Sequence, residues 1–192
     1  MKNEALLIDI DGTICDSSIA MNYLNGNKDR NNFEVYYRLL DLVKPHQEVI
    51  DSIINNCRSK NTKGFYDGFK DITLVFLTGR NAERHVMQYT LEFVEEAFKL
   101  PLRNSNVKAD FYFRPINNHV NTTEYKTQKF QMLKTLYDFT HIYEDEPKNV
   151  QMFSDLKQES CLVHWVKNSY NYSLELMEEP ITVPKGVHIH LI

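Results

Sequence analysis

The sequence predicts an α/β protein built on a three-layer, doubly wound, mostly parallel sheet. Three observations predict it. Unbroken apolar runs such as Leu6-Leu7-Ile8 and Leu74-Val75-Phe76-Leu77 have the composition of strands buried on both faces. Between them lie segments at helical spacing, for example Val49, Ile50, Ile53, Ile54 and Cys57. Polar residues then follow the runs, at Asp9 and Asp11, at Thr78 and at Glu144-Asp145-Glu146, where strands of such sheets end and ligands bind.

The first strand ends in Asp9-Ile10-Asp11-Gly12-Thr13, with both acids on one side by the period of two and Gly12 free to turn the chain. Two adjacent carboxylates repel, so the pair needs a cation, a shared proton or open access to water. Residues 17–45 are rich in Asn and aromatics; the NGN and DRNN clusters read as turns, and FEVYYRLLDLV as a short helix with Phe33, Tyr36, Tyr37 and Leu40 on one side. Pro45 is placed to open an amphipathic crossover helix running to about residue 57. The polar stretch RSKNTKGFYDGFK reads as a loop before the strand DITLVFLTGR.

From Ala82 to Phe98 the spacing of Met87, Leu91, Val94 and Phe98 predicts a helix, closed by Pro101. ADFYFRP reads as a short strand. Thr122 or Thr123 is placed to cap a helix running to about Asp138, with Phe130, Leu133 and Tyr137 inward and Lys126 in its first turn. HIYEDE is a strand ending in acids, Pro147 starts a helix carrying Val150, Phe153 and Leu156, and CLVHWV is a last core strand. The tail is irregular from Asn168 to the alternating VHIHLI, an edge strand. Residues 1–192 thus read as one domain, with room for a small cap in 17–45 and a C-terminal extension in 168–192.

Composition narrows the function. At 192 residues with 42% hydrophobic content the chain is large enough for a proper core. A net charge of −4 offers no global basic field to hold a long nucleic acid in a groove. Cys15, Cys57 and Cys161 lack any CxxC spacing and read as free thiols in a reducing compartment. No apolar run approaches the roughly 20 residues of a membrane span and the N-terminus does not read as a signal peptide, so the expectation is a soluble, cytoplasmic protein with no membrane partner. His85, His119, His141 and His164 show no metal-ligand spacing, and His188 and His190 simply alternate on the terminal strand. No GxxxxGK[ST] stretch occurs, which excludes a kinase activity of the P-loop type.

Read in order, DIDGT at 9–13, FLTGR ending in Thr78-Gly79-Arg80, Lys126 in TEYKTQ and Glu144-Asp145 in IYEDEP resemble the four motifs of the haloacid dehalogenase-like phosphohydrolases. With FYFRP at 111–115, the set is most similar to the phosphatase domains of phage-type polynucleotide kinase-phosphatases and related RNA-repair proteins. The resemblance spans roughly residues 5 to 166. It implies a Rossmann-like fold with a small or absent cap, and Asp9 as a nucleophile that forms an aspartyl-phosphate. Asp11 is then the acid and base, Thr78 and Gly79 bind the phosphoryl oxygens, and Lys126 neutralises their charge. Arg80 and Arg114 are further candidates for phosphate contact. Mg²⁺ is the implied cofactor, held by Asp9, by the Asp11 carbonyl and by Asp145 or Glu144, with Asp145 preferred. Glu146 stands where those relatives tend to have Arg.

The expected activity is removal of terminal 3'-phosphates from nucleic-acid ends. A 5'(3')-nucleotidase acting on free mononucleotides is the nearest alternative. From another class come a receiver-like signalling domain, which also places acids, a Thr and a Lys at strand ends, and an inactive binding module of the same fold.

Overall fold

The computed structural model describes residues 2–18, 39, 42–167, 183 and 186–191. Six strands form an all-parallel sheet: β1 (Asn3–Ile8), β6 (Ile72–Asn81), β7 (Val107–Arg114), β8 (Tyr137–Glu144), β9 (Leu162–Lys167) and β10 (Val187–Leu191). Their order is β10-β9-β8-β1-β6-β7. The chain therefore winds outward from β1 through β6 and β7, returns to β1's other side at β8, and winds outward again. The reversal leaves a crevice between the C-terminal ends of β1 and β8.

Alternation along β1 divides the core. Leu6 and Ile8 face α1 (Gln47–Cys57) and α2 (Arg84–Ala97), packing with Val49, Ile53 and Val94. Ala5 and Leu7 face the other way, with Phe130 and Leu133 of α4 (Thr122–Leu133) and Val150 and Phe153 of α5 (Pro147–Leu156). Phe130 meets Phe153 edge-on at 5.0 Å, which locks α4 to α5 above the sheet. A four-residue helix, α3 (Lys99–Leu102), links α2 to β7. This is the doubly wound three-layer sheet that the apolar runs predict.

Several local expectations are corrected. Pro45 does not open α1: it pairs with Cys15, as β3 (Lys44–Pro45) lies antiparallel to β2 (Cys15–Asp16), and His46 precedes the helix. The stretch after α1 is a hairpin, β4 (Arg58–Lys60) against β5 (Tyr66–Phe69), rather than a loop. Asn121, not Thr122 or Thr123, caps α4, its side chain accepting from Glu124 N at 2.8 Å. That helix stops at Leu133, and Tyr137 is buried from β8. In α2 the inward stripe is Val86, Thr90 and Val94, while Leu91 is exposed, because the Thr90 hydroxyl has a buried partner described below. Pro101 lies inside α3 instead of closing α2.

VHIHL is the edge strand β10, hydrogen-bonded in parallel to β9. The aromatic stretch with Phe33, Tyr36 and Tyr37, and most of the expected cap and C-terminal extension, lie outside the described residues. Among the described residues no helix is long and apolar enough to cross a membrane.

Candidate active site

Strand β1 delivers Asp9 to the crevice, and the turn after it is set by Gly12, whose φ of 81° belongs to the left-handed region that glycine favours. Backbone bonds from Thr13, Ile14 and Cys15 N to the Ile10 carbonyl fold this turn tightly. Across the crevice, β8 ends at Glu144 and Asp145, and the Trp165 indole N–H donates to the Asp145 carbonyl at 3.0 Å, holding its backbone. Asp9, Glu144 and Asp145 each present a carboxylate oxygen, these atoms lie within 4.8 Å of one another, and all three residues are buried.

Lys126 enters from α4. Its ammonium donates to Asp9 Oδ1 at 2.6 Å and to Glu144 Oε2 at 2.7 Å. Gly79 permits the approach of that helix, since a Cβ there would lie 3.1 Å from Thr122 Cγ2. The other Glu144 oxygen accepts from Asn149 Nδ2 at 3.1 Å and from Glu146 N at 3.2 Å. Thr13 bridges the remaining acids: its hydroxyl is 3.1 Å from Asp9 Oδ2 and 3.2 Å from Asp145 Oδ1. A single hydroxyl proton thus faces two carboxylates.

Electrostatics follow from this burial. Asp9 is pushed up to about 7, first by desolvation and then by Glu144, with Lys126 acting in the opposite sense. Asp145 is raised well above the ordinary carboxylate range by burial, then by Asp9 and Glu144. For Lys126 burial works against the charged form, but Asp9 and Glu144 outweigh it and hold the ammonium above its usual value. Three carboxylates against one ammonium leave two negative charges in excess when all are ionised. An oxygen-only donor set with that excess fits a hard divalent cation such as Mg²⁺.

Asp11 stands apart from this cluster. Both its oxygens accept from the Arg80 fork, Oδ2 from Nε at 2.9 Å and Oδ1 from Nη2 at 2.8 Å. Arg80 is buried, and its Nη1 donates to Thr90 Oγ1 at 2.8 Å while Thr90 in turn donates to the Val86 carbonyl. Thr78 is buried at the end of the apolar run of β6, and its Oγ1 accepts from Arg80 N at 3.1 Å. Arg114 turns its Nη2 to the Val120 carbonyl, and its buried Nε has no partner among the described residues.

Of the residues singled out in the sequence, Asp9, Lys126, Glu144 and Asp145 form one cluster, while Asp11, Thr78 and Arg80 form a second along the β1–β6 side. Arg80 is a partner of Asp11 in this arrangement and not a free cation. Three participants carried no assignment. Thr13 was visible only as the last letter of DIDGT, Asn149 stands five residues after Glu144 on α5, and Thr90 is marked only by its place on the buried i, i+4 stripe of α2. No family model matches the chain, and no curated protein matches it.

Proposed function

We propose that the protein is a phosphomonoester hydrolase of the haloacid dehalogenase-like kind, acting through a phosphorylated aspartate. The observation that carries this reading is the Lys126 ammonium set between Asp9 and Glu144, with Thr13 joining Asp9 to Asp145, at the point where the winding of the chain reverses. Within that class the terminal 3'-phosphate of a nucleic acid is the preferred substrate, on the motif resemblance; a free mononucleotide is the competing one.

In this reading an Asp9 oxygen attacks phosphorus, the bond to the leaving oxygen breaks, and that oxygen takes a proton from Asp11. Water then attacks the aspartyl-phosphate, gives its proton to Asp11, and frees phosphate and the Asp9 carboxylate. Lys126 holds Asp9 in orientation and opposes negative charge gathering on the phosphoryl group. Mg²⁺, held by Asp9 and Asp145, would neutralise the excess charge of the acids so that an anionic phosphate can approach. Asp145 rather than Glu144 takes this part, because Lys126, Asn149 and the Glu146 N–H already engage both Glu144 oxygens.

Arg80 fixes the Asp11 carboxylate in one orientation. Since both oxygens accept from the fork, the proton for the leaving group occupies a lone pair turned away from Arg80. Phosphate release from a 3'-phosphorylated oligonucleotide and from 3'- and 5'-mononucleotides, with Mg²⁺ or with chelator, tests the reading. Mg²⁺-dependent release favouring the oligonucleotide is expected. Preference for mononucleotides moves the protein to the nucleotidases, and silence on every phosphomonoester removes the assignment.

A further inference from the structure

The hairpin β4–β5 lies at the opposite end of the sheet from the candidate active site. Helix α1 starts beside the site's turn, where His46 N donates to the Ile14 carbonyl, and after 11 residues, about 16 Å of helix, it delivers the chain to Arg58. Strand β6 then returns toward Thr78. At the base of the hairpin Phe69 packs into the core and Lys70 N bonds the Cys57 carbonyl at 2.9 Å.

The tip is ordered by its own polar groups. Asn61 Oδ1 accepts from Lys63 N and Phe65 N, both at 3.0 Å, while Asn61 N donates to the Phe65 carbonyl at 2.8 Å. This folded tip presents an aromatic ring to water: Phe65 is 69% exposed. Tyr66 beside it is 47% exposed, with the Arg58 guanidinium and the Lys60 ammonium each 5.3 Å from its ring centroid. Asp67, the acid of β5, accepts from Ser59 Oγ at 2.8 Å. In a chain of net charge −4, Arg58, Lys60 and Lys63 make a local cationic patch interleaved with two exposed rings.

We propose that this hairpin is a binding surface for single-stranded nucleic acid. An exposed ring and adjacent cations are the two groups that such a strand needs, one for stacking its bases and one for its phosphates; Phe65 supplies the first, and Arg58 and Lys60, held over the Tyr66 ring, supply the second. A duplex keeps its base faces stacked and shows only edges in its grooves, so it leaves Phe65 nothing to stack on. An acidic peptide would use the cations and leave the rings idle. The surface does not depend on the phosphatase reading, because it is remote from the acids and needs no terminal phosphate.

The test is fluorescence anisotropy of the full chain with a labelled, unphosphorylated oligothymidylate of about 16 nucleotides, a length within known single-strand site sizes. Wild type is expected to bind at low salt, and Phe65→Ala combined with Tyr66→Ala to weaken binding by about tenfold or more. Lys60→Glu is expected to lower the salt slope, while the same reversal at Lys129, on α4 across the sheet, leaves it nearly unchanged. Phe65, Tyr66 and Lys60 are exposed and Lys129 is half-buried over the Tyr112 ring, and unchanged melting temperatures of the variants exclude misfolding as the cause. Absence of binding by wild type overturns the proposal. So does binding that survives loss of both rings, or that polyglutamate of equal charge displaces as well as nucleic acid does. Self-association through Phe65 in sedimentation, without oligonucleotide binding, assigns the surface to a second copy instead and equally overturns it.

Discussion

Strand β8 carries two polar clusters, one fully buried and one buried at its centre on Tyr143 and His164, that solve the same problem in opposite ways. At its C-terminal end Glu144 and Asp145 meet Asp9, and the burial of three acids is offset by one lysine and a threonine hydroxyl. On its α1 face, His141 and Tyr143 join a stack of rings that continues onto His164 of β9 and His188 and His190 of β10. His164 Nε2 lies 2.9 Å from His141 Nδ1, and its Nδ1 lies 2.9 Å from His190 Nε2. Neutral imidazoles satisfy this row without any charge, each giving one proton and offering one lone pair. The first cluster is under electrostatic tension that a cation relieves; the second is at rest as long as its rings stay neutral.

The largest effect expected concerns Asp9. Asp9→Asn removes the proposed nucleophile, so turnover in the phosphate-release assay should fall on the order of 10⁴- to 10⁶-fold. It also removes a carboxylate that burial disfavours, so its melting temperature without Mg²⁺ should be no lower than that of wild type. Retained turnover in the purified variant would end the covalent mechanism. Next in size, Lys126→Met leaves Asp9 and Glu144 facing each other without a cation, and should cost roughly 3–5 kcal/mol in urea unfolding. Adding Glu144→Gln should recover part of that loss, and an unchanged urea midpoint in Lys126→Met would show that the ammonium is dispensable.

Smaller again is the response to metal. If the excess charge of the acids makes a cation site, Mg²⁺ at about 100 times its dissociation constant should stabilise the fold by about 2.7 kcal/mol, read as a rise in melting temperature. Asp145→Asn should abolish most of that rise, whereas Asn149→Ala, which removes a hydrogen bond to Glu144, should keep it. Loss in Asn149→Ala with the rise kept in Asp145→Asn would place Glu144, not Asp145, at the metal.

What could be read in advance divides along physical lines. The sheet was legible because a strand buried on both faces has to be an apolar run, and β1, β6 and β9 are such runs. The acids were legible because Asp9 and Glu144-Asp145 interrupt apolar surroundings at strand ends, where burial makes them costly. The hairpin was not, since Arg58–Lys60 and Tyr66–Phe69 are short and mostly solvent-facing, so no periodicity separates strand from loop. Thr90 and Leu91 exchanged places for a tertiary reason: Arg80, from another element, supplies the partner that lets a threonine replace leucine on the buried stripe. The imidazole row was hidden for the same kind of reason, because it depends on the register of three strands and β10 follows β9 after a long stretch of chain.

That row supplies the smallest effect and the sharpest contrast with the acids. Burial, followed by the neighbouring imidazoles, drives His164 down to about 3, and burial also lowers His141 and His190. Around them, Glu48 of α1 favours a charge on His190 and Glu4 favours one on His141, while Lys70 opposes the latter. An unfolded histidine takes up its proton near 6.5, well above the folded value for His164. Stability from the neutral ring is therefore complete above about 6.5 and is lost as pH falls below it, toward about 3, because only the unfolded chain gains the proton. Each such histidine contributes a slope of at most about 1.4 kcal/mol per pH unit. Urea midpoints at pH 7.5 and pH 5.5 should differ in that sense. His164→Phe, which keeps the stack on Tyr143 at 4.2 Å but cannot titrate, should reduce the difference even though it costs stability at both pH values. A difference of the same size in that variant would take the acid sensitivity away from His164; the raised values of Asp9 and Asp145 favour the folded state at the lower pH and cannot produce a loss of this sign.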